Sequence, residues 1–61
     1  MFNRESVEKN LVETEELIER CDALEIIAIV TDDSELIKKL IDKRIELARI
    51  KGELEYMLTL C

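Results

Sequence analysis

Proline, histidine and tryptophan are absent from these 61 residues, and glycine occurs once, at position 52. A chain almost without proline and glycine cannot be punctuated into short strands and tight turns, so the composition excludes a multi-stranded β fold and points to long uninterrupted helix. The missing histidines exclude more. Zinc sites built from paired Cys and His, di-iron bundles built on Glu-x-x-His, and an imidazole to activate Ser6, Ser34 or either cysteine are all out of reach. No glycine-rich phosphate cradle exists either.

Positive charge is also scarce: nine Lys and Arg stand against fifteen Asp and Glu, a net charge of −6. Binding to nucleic-acid phosphates or to anionic lipid needs clustered basic residues, so no nucleic-acid and no membrane partner is expected. The longest near-apolar run, Leu24 to Val30, contains Glu25 and is far shorter than the ~20 residues that span a bilayer. The first residues, Met1-Phe2-Asn3-Arg4-Glu5, lead into polar sequence rather than an apolar signal core, and the expected location is the cytoplasm. The two cysteines, Cys21 and Cys61, are expected roughly 25 Å apart by the helical rise, beyond the ~7 Å between Cα atoms that a disulfide tolerates. Cys21 reads as a core thiol, and Cys61 as incidental or as a site of interchain oxidation.

What the chain does have is periodic. Val7, Leu11, Leu17/Ile18, Cys21, Leu24 and Ala28 recur at intervals of three and four and share one helical face, with Glu8, Glu13, Glu16, Glu19 and Arg20 mostly opposite. The segment Ile26 to Val30 is apolar all round. Its β-branched residues favour extended structure when read alone. A lone strand has no partner in so short a chain, so a helix buried from several directions is expected there.

Thr31-Asp32-Asp33-Ser34-Glu35 combines capping residues with a glutamate three places after Asp32, the mark of a helix start and not a calcium loop. A connection this short makes the two helices antiparallel neighbours. The expected fold is therefore all-α: one helical-hairpin domain over 1–61, with helix 1 at about 5–30, the turn at 31–34 and helix 2 at about 33–60, assembling as a homodimeric four-helix bundle.

Helix 2 carries two apolar stripes. Leu36, Leu40, Leu47, Ile50, Leu54, Met57, Leu58 and Cys61 form one. Ile37, Ile41, Ile45, Ala48, Gly52 and Tyr56 form another, displaced by roughly 100–140°. One stripe suffices to pack on helix 1, and sequence alone does not say which; the other calls for a partner chain. The residues proposed for that partner interface are Ile37, Ile41, Ile45, Ala48, Gly52 and Tyr56 on one side, or Ile50 and Leu54 with Met57 on the other. Gly52 with Ala48 suggests a close helix crossing, within the hairpin or between chains. Laid antiparallel, Ile18 faces Leu47, Leu11 faces Leu54 and Val7 faces Leu58. Glu25 can then pair with Arg44, while Lys51 lays its stem on apolar surface and its ammonium reaches Glu13, Glu15 or the edge of the interface. The charges at the interface are accordingly Glu25, Arg44 and Lys51.

The segment Leu40-Ile41-Asp42-Lys43-Arg44-Ile45-Glu46-Leu47-Ala48, with Gly52, resembles the long first helix of helical chorismate mutases. The resemblance places a functional arginine at Arg44. The other two catalytic cations of that pattern fall on Glu55 and Ile27, so no activity is implied. In outline, a short acidic two-helix chain is similar to the small co-chaperones of bacterial type III secretion and to phage or plasmid regulators built as hairpin dimers, which implies partner binding. The function expected is thus non-enzymatic: a small regulator or adaptor acting as a hairpin homodimer, with no cofactor, metal or small-molecule substrate. The alternatives are a chaperone or inhibitor hairpin whose stripe is covered by a different chain, acidic mimicry of a nucleic acid, and a residual or assisted enzyme that uses Arg44 and Lys51 as an anion-binding pair.

Overall fold

A computed structural model of the protein describes residues 3–61; Met1 and Phe2, part of the expected 1–61 unit, lie outside the described residues. Two α-helices of equal length, α1 (Arg4–Val30) and α2 (Ser34–Leu60), pack as an antiparallel hairpin. At ~1.5 Å per residue each is about 40 Å long, and the molecule is a rod of 45 × 14 × 12 Å. The β-branched run at Ile26 to Val30 is helical to its last residue. In a hairpin the packing of a whole face outweighs the small local preference of isoleucine for extended backbone.

Each end of the hairpin is chemically specified. Asn3 caps α1, its side chain accepting hydrogen bonds from Glu5 N at 3.0 Å and Ser6 N at 3.4 Å. At the other end of α1, Asp33 N donates to Ala28 O at 2.9 Å and Asp32 N to Ile29 O at 3.2 Å. This pair of reversed bonds is the Schellman arrangement, which requires a left-handed residue after the cap. Asp32 supplies it with φ 55°, a position usually given to glycine. Asp33 then caps α2, accepting from Leu36 N at 3.1 Å. The cap of the second helix is therefore Asp33, and Asp32, the expected partner of Glu35, is occupied in ending the first.

The core is a single seam with a strict period of seven. Val7, Thr14, Cys21 and Ala28 are the buried residues of α1, and Leu40, Leu47 and Leu54 those of α2. A seven-residue repeat is what two helices adopt when they pack along their whole length at a shallow angle. Cys21, Ala28, Leu40 and Leu47 form its best-packed part, with Ile18, Leu36 and Ile37 against them. Ala28, with no exposed surface, sits where the helices converge on the turn.

Two expectations about α1 are corrected by this seam. Of the Leu17/Ile18 pair Ile18 packs against the core, whereas Leu17 and Leu24 lie on the border of the inner face, 44% and 45% exposed, and Thr14 is inside. Thr14 satisfies its hydroxyl within its own helix, Oγ1 donating to Asn10 O at 2.8 Å, which lets a polar residue occupy a seam position. The stretch Ile26 to Val30 is not buried from several directions: Ile26, Ile27, Ile29 and Val30 are all exposed, and Ala28 alone faces inward. Two rods can cover only one face of each other, and only one residue in that last turn lies on it.

Candidate interaction surface

The first stripe of α2 is the one that faces α1. Leu40, Leu47 and Leu54 are buried, and Leu36, Ile50, Met57 and Leu58 half-buried. Ile50, Leu54 and Met57 are thus taken up inside the hairpin to a large extent. The second stripe points elsewhere. Ile41, Ile45 and Tyr56 are exposed, at 46%, 64% and 65%, and Ala48 and Gly52 are exposed between them. Ile37, at the loop end of this stripe, is half-buried and packs against the core.

Gly52 does not serve a close crossing within the hairpin. A Cβ placed on it would meet nothing within 4 Å, so the missing side chain leaves open space on the outside of α2. An apolar depression lies there, bounded by Arg49, Glu53, Tyr56, Met57 and Leu60.

The charged residues sort differently from expectation. Arg44 pairs with Asp22, Nε to Oδ1 at 3.2 Å, and not with Glu25. In the antiparallel register Asp22 is level with Arg44, whereas Glu25 lies nearly a turn further along, at the level of Leu40. Glu25 is half-buried, and its Oε1 is buried with no hydrogen-bond partner. Asp22 Oδ1 is buried too and accepts no hydrogen bond, so its contact with Arg44 is a close ion pair without hydrogen-bond alignment. Lys51 is half-buried and makes no ion pair among the described residues, so the expected reach to Glu13 or Glu15 is not formed. Two helix-surface pairs remain, Arg4 with Glu8 at 2.9 Å and Lys43 with Glu46 at 4.0 Å.

The Asp22–Arg44 contact also shows which flank of α1 adjoins the open stripe. Ile29 is seven residues from Asp22, and Ile26 four, so both lie on the same side of α1 as Asp22. Ile41 lies on the corresponding side of α2. One flank of the hairpin therefore carries Ile26 and Ile29 beside Ile41 and Ile45 near the loop, then Ala48, Gly52 and Tyr56 toward the open end, with large residues first and small ones after. The opposite flank carries Leu17, Leu24 and Ile27, interrupted by charge: a shallow depression there is lined by Glu13, Glu16, Leu17 and Arg20.

Cys21 is buried and Cys61 exposed, at the end of α2 with its Sγ 3.3 Å from Met57 O. Among the described residues no group of three or more His, Cys, Asp or Glu is placed to hold a metal ion, and no helix is long and apolar enough to cross a membrane. No family model matches the chain, and neither a curated protein nor a solved structure is significantly similar to it.

The open flank was half legible beforehand. The second stripe of α2 follows from spacing alone. The contribution of Ile26 and Ile29 was missed, because an all-apolar turn gives no periodicity from which to read its direction. Thr14 was missed as a seam residue because it is polar; counting sevens from Val7 through Cys21 to Ala28 finds it.

Proposed function

We propose that the protein is a non-enzymatic protein–protein interaction module that acts as a homodimer of helical hairpins, a small cytoplasmic regulator or adaptor. The observation carrying this reading is an excess of exposed surface. The hairpin exposes 4908 Å². A compact monomer of 7.1 kDa is expected to expose about 4,100 Å² by the usual scaling of area with mass. The difference, about 800 Å², is what one partner contributes to a protein–protein interface of ordinary size. It coincides with eleven large apolar residues left exposed among the described residues, six of them isoleucines or valines around the loop and along α2: Ile26, Ile27, Ile29, Val30, Ile41 and Ile45.

A second hairpin is the simplest cover. Two hairpins stacked flank to flank make a four-helix bundle, in which every rod has neighbours on more than one side. The net charge of −6 and the lack of a basic cluster disfavour a nucleic-acid or anionic-lipid partner. The absence of histidine and the apolar lining of the depression beside Gly52 favour contact over catalysis.

Sedimentation equilibrium at micromolar concentration tests the proposal, with a mass of two chains expected. A stable, well-folded monomer overturns it. A chain that stays soluble only when co-expressed with another host protein also overturns the homodimer, in favour of the chaperone or inhibitor reading.

A further inference from the structure

We infer that two copies pack antiparallel through the outer flank of α2, with Ile41 and Ile45 of one copy seated over Gly52 and Ala48 of the partner subunit about a two-fold axis. This deepens the homodimer reading and rests on it; what it adds is the face, the direction and the register.

The face follows from comparing the two open flanks. Leu17, Leu24 and Ile27 are exposed, but Glu13, Glu16 and Arg20 stand among them, and a partner there would have to desolvate those charges. The flank of Ile41, Ile45, Ala48 and Gly52 also borders charge, but its Asp22 and Arg44 are already paired with each other at 3.2 Å, and those four stripe positions on α2 are uncharged. Ile26 and Ile29, each 65% exposed, widen it near the loop.

Direction follows from shape. Bulk lies near the loop, at the isoleucines, and the opening lies toward the other end, where Gly52 borders a depression lined by Tyr56, Met57 and Leu60 together with Arg49 and Glu53. A parallel pair would set bulk on bulk and gap on gap. Run antiparallel, each copy's isoleucines meet the other's opening, and the match occurs twice, as an isologous two-fold interface requires. Nothing inside a single hairpin explains a glycine in mid-helix, since the space above it is empty. A neighbouring copy's side chain in that space does.

Register then follows from spacing. Opposing Ile41 to Gly52 also opposes Ile45 to Ala48, so one alignment serves both isoleucines. In that alignment Asp42 comes within a turn of Arg49 of the partner subunit, and Lys38 within a turn of the partner's Glu53. Opposite charges therefore border the apolar strip on the outer side. The loop-end residue Ile29 reaches the level of Tyr56 of the partner subunit, and Ile26 that of the partner's Gly52 and Glu53, so exposed apolar surface is covered at both ends.

The test compares sedimentation of the wild-type chain with Ile45→Asp and Leu24→Asp, with helicity checked by circular dichroism. Ile45 and Leu24 are both exposed in the hairpin, so neither change touches the core. The expected result is a dimer whose dissociation constant rises at least tenfold in Ile45→Asp and less than threefold in Leu24→Asp. Should Ile45→Asp lose helicity, Gly52→Leu replaces it; a Cβ there has nothing within 4 Å in the single hairpin, and the same loss of association is expected. Loss on Leu24→Asp alone would overturn the face while leaving the homodimer intact, and a monomeric wild type would overturn both. For the register, Ile41→Cys and Gly52→Cys chains in a Cys61→Ser background are mixed and treated with a short bis-maleimide. Unlike pairs are expected to exceed like pairs at least fivefold, and predominance of the Ile41→Cys like pair would overturn the antiparallel arrangement.

Discussion

Arg44 Nε stands 3.2 Å from Asp22 Oδ1, and this is the one ion pair joining α1 to α2 among the described residues. It marks the register of the hairpin more than it strengthens it. Both side chains are about half exposed, 51% for Arg44 and 46% for Asp22, so water screens much of the attraction. Asp22→Asn is expected to lower stability by no more than about 0.5 kcal/mol in urea unfolding at moderate salt. A loss of several kcal/mol would show that the pair is a true clamp.

Glu25 behaves oppositely. It occupies the seam level with Leu40, and its Oε1 is shielded from water without a hydrogen bond. Leaving a polar atom unsatisfied costs of order 1 kcal/mol or more, and an apolar residue of similar length avoids that cost. Glu25→Leu is therefore expected to raise the urea midpoint, by about 1 kcal/mol in unfolding free energy. An unchanged or lowered midpoint would mean that the carboxylate is better solvated than the packing indicates.

The turn offers a backbone test. Asp32 has φ 55°, tolerable for aspartate and unfavourable for a β-branched residue. Asp32→Gly is expected to be neutral or slightly stabilising, and Asp32→Val to destabilise by about 1–2 kcal/mol. Equal effects of the two substitutions would argue that the Schellman bonds from Asp32 and Asp33 do not persist in solution.

Gly52 gives a prediction about the hairpin itself, separate from its association. In the Ile45→Asp background, where self-contact is suppressed, Gly52→Ala adds a methyl that meets nothing and removes the helix penalty of glycine. Thermal unfolding should show a gain of about 1 kcal/mol. A loss would place Gly52 against something within its own chain.

How far each feature could be read in advance depended on how local its cause is. Helix over both long segments, the break after Val30 and the antiparallel hairpin follow from side-chain spacing and from the capping residues clustered at 31–35, which act within a few residues, whereas the caps themselves, Asn3 and Asp33, come from the structure. The second apolar stripe of α2 follows in the same way, since a helix projects each residue in a direction set by its number. The choice of stripe for the inner face was not local. It depended on which residues of α1 lay opposite, and the seam of sevens through Val7, Thr14, Cys21 and Ala28 selected Leu40, Leu47 and Leu54.

Three other matters were decided only when the two rods were laid together. Arg44 went to Asp22 because ion pairing depends on level and side across the gap, where a shift of three residues moves a carboxylate by about 4.5 Å along the axis. Leu17 and Leu24 stayed at the margin, and Thr14 went inside, because a narrow two-helix seam admits about two residues in seven, whatever the hydrophobicity of the rest. Ile26, Ile27, Ile29 and Val30 remained bare because one neighbouring helix covers only one face of another. Sequence by itself thus determined the helices, their ends and the amount of apolar surface; tertiary packing decided where that surface lies, because burial is a relation between two surfaces and not a property of either.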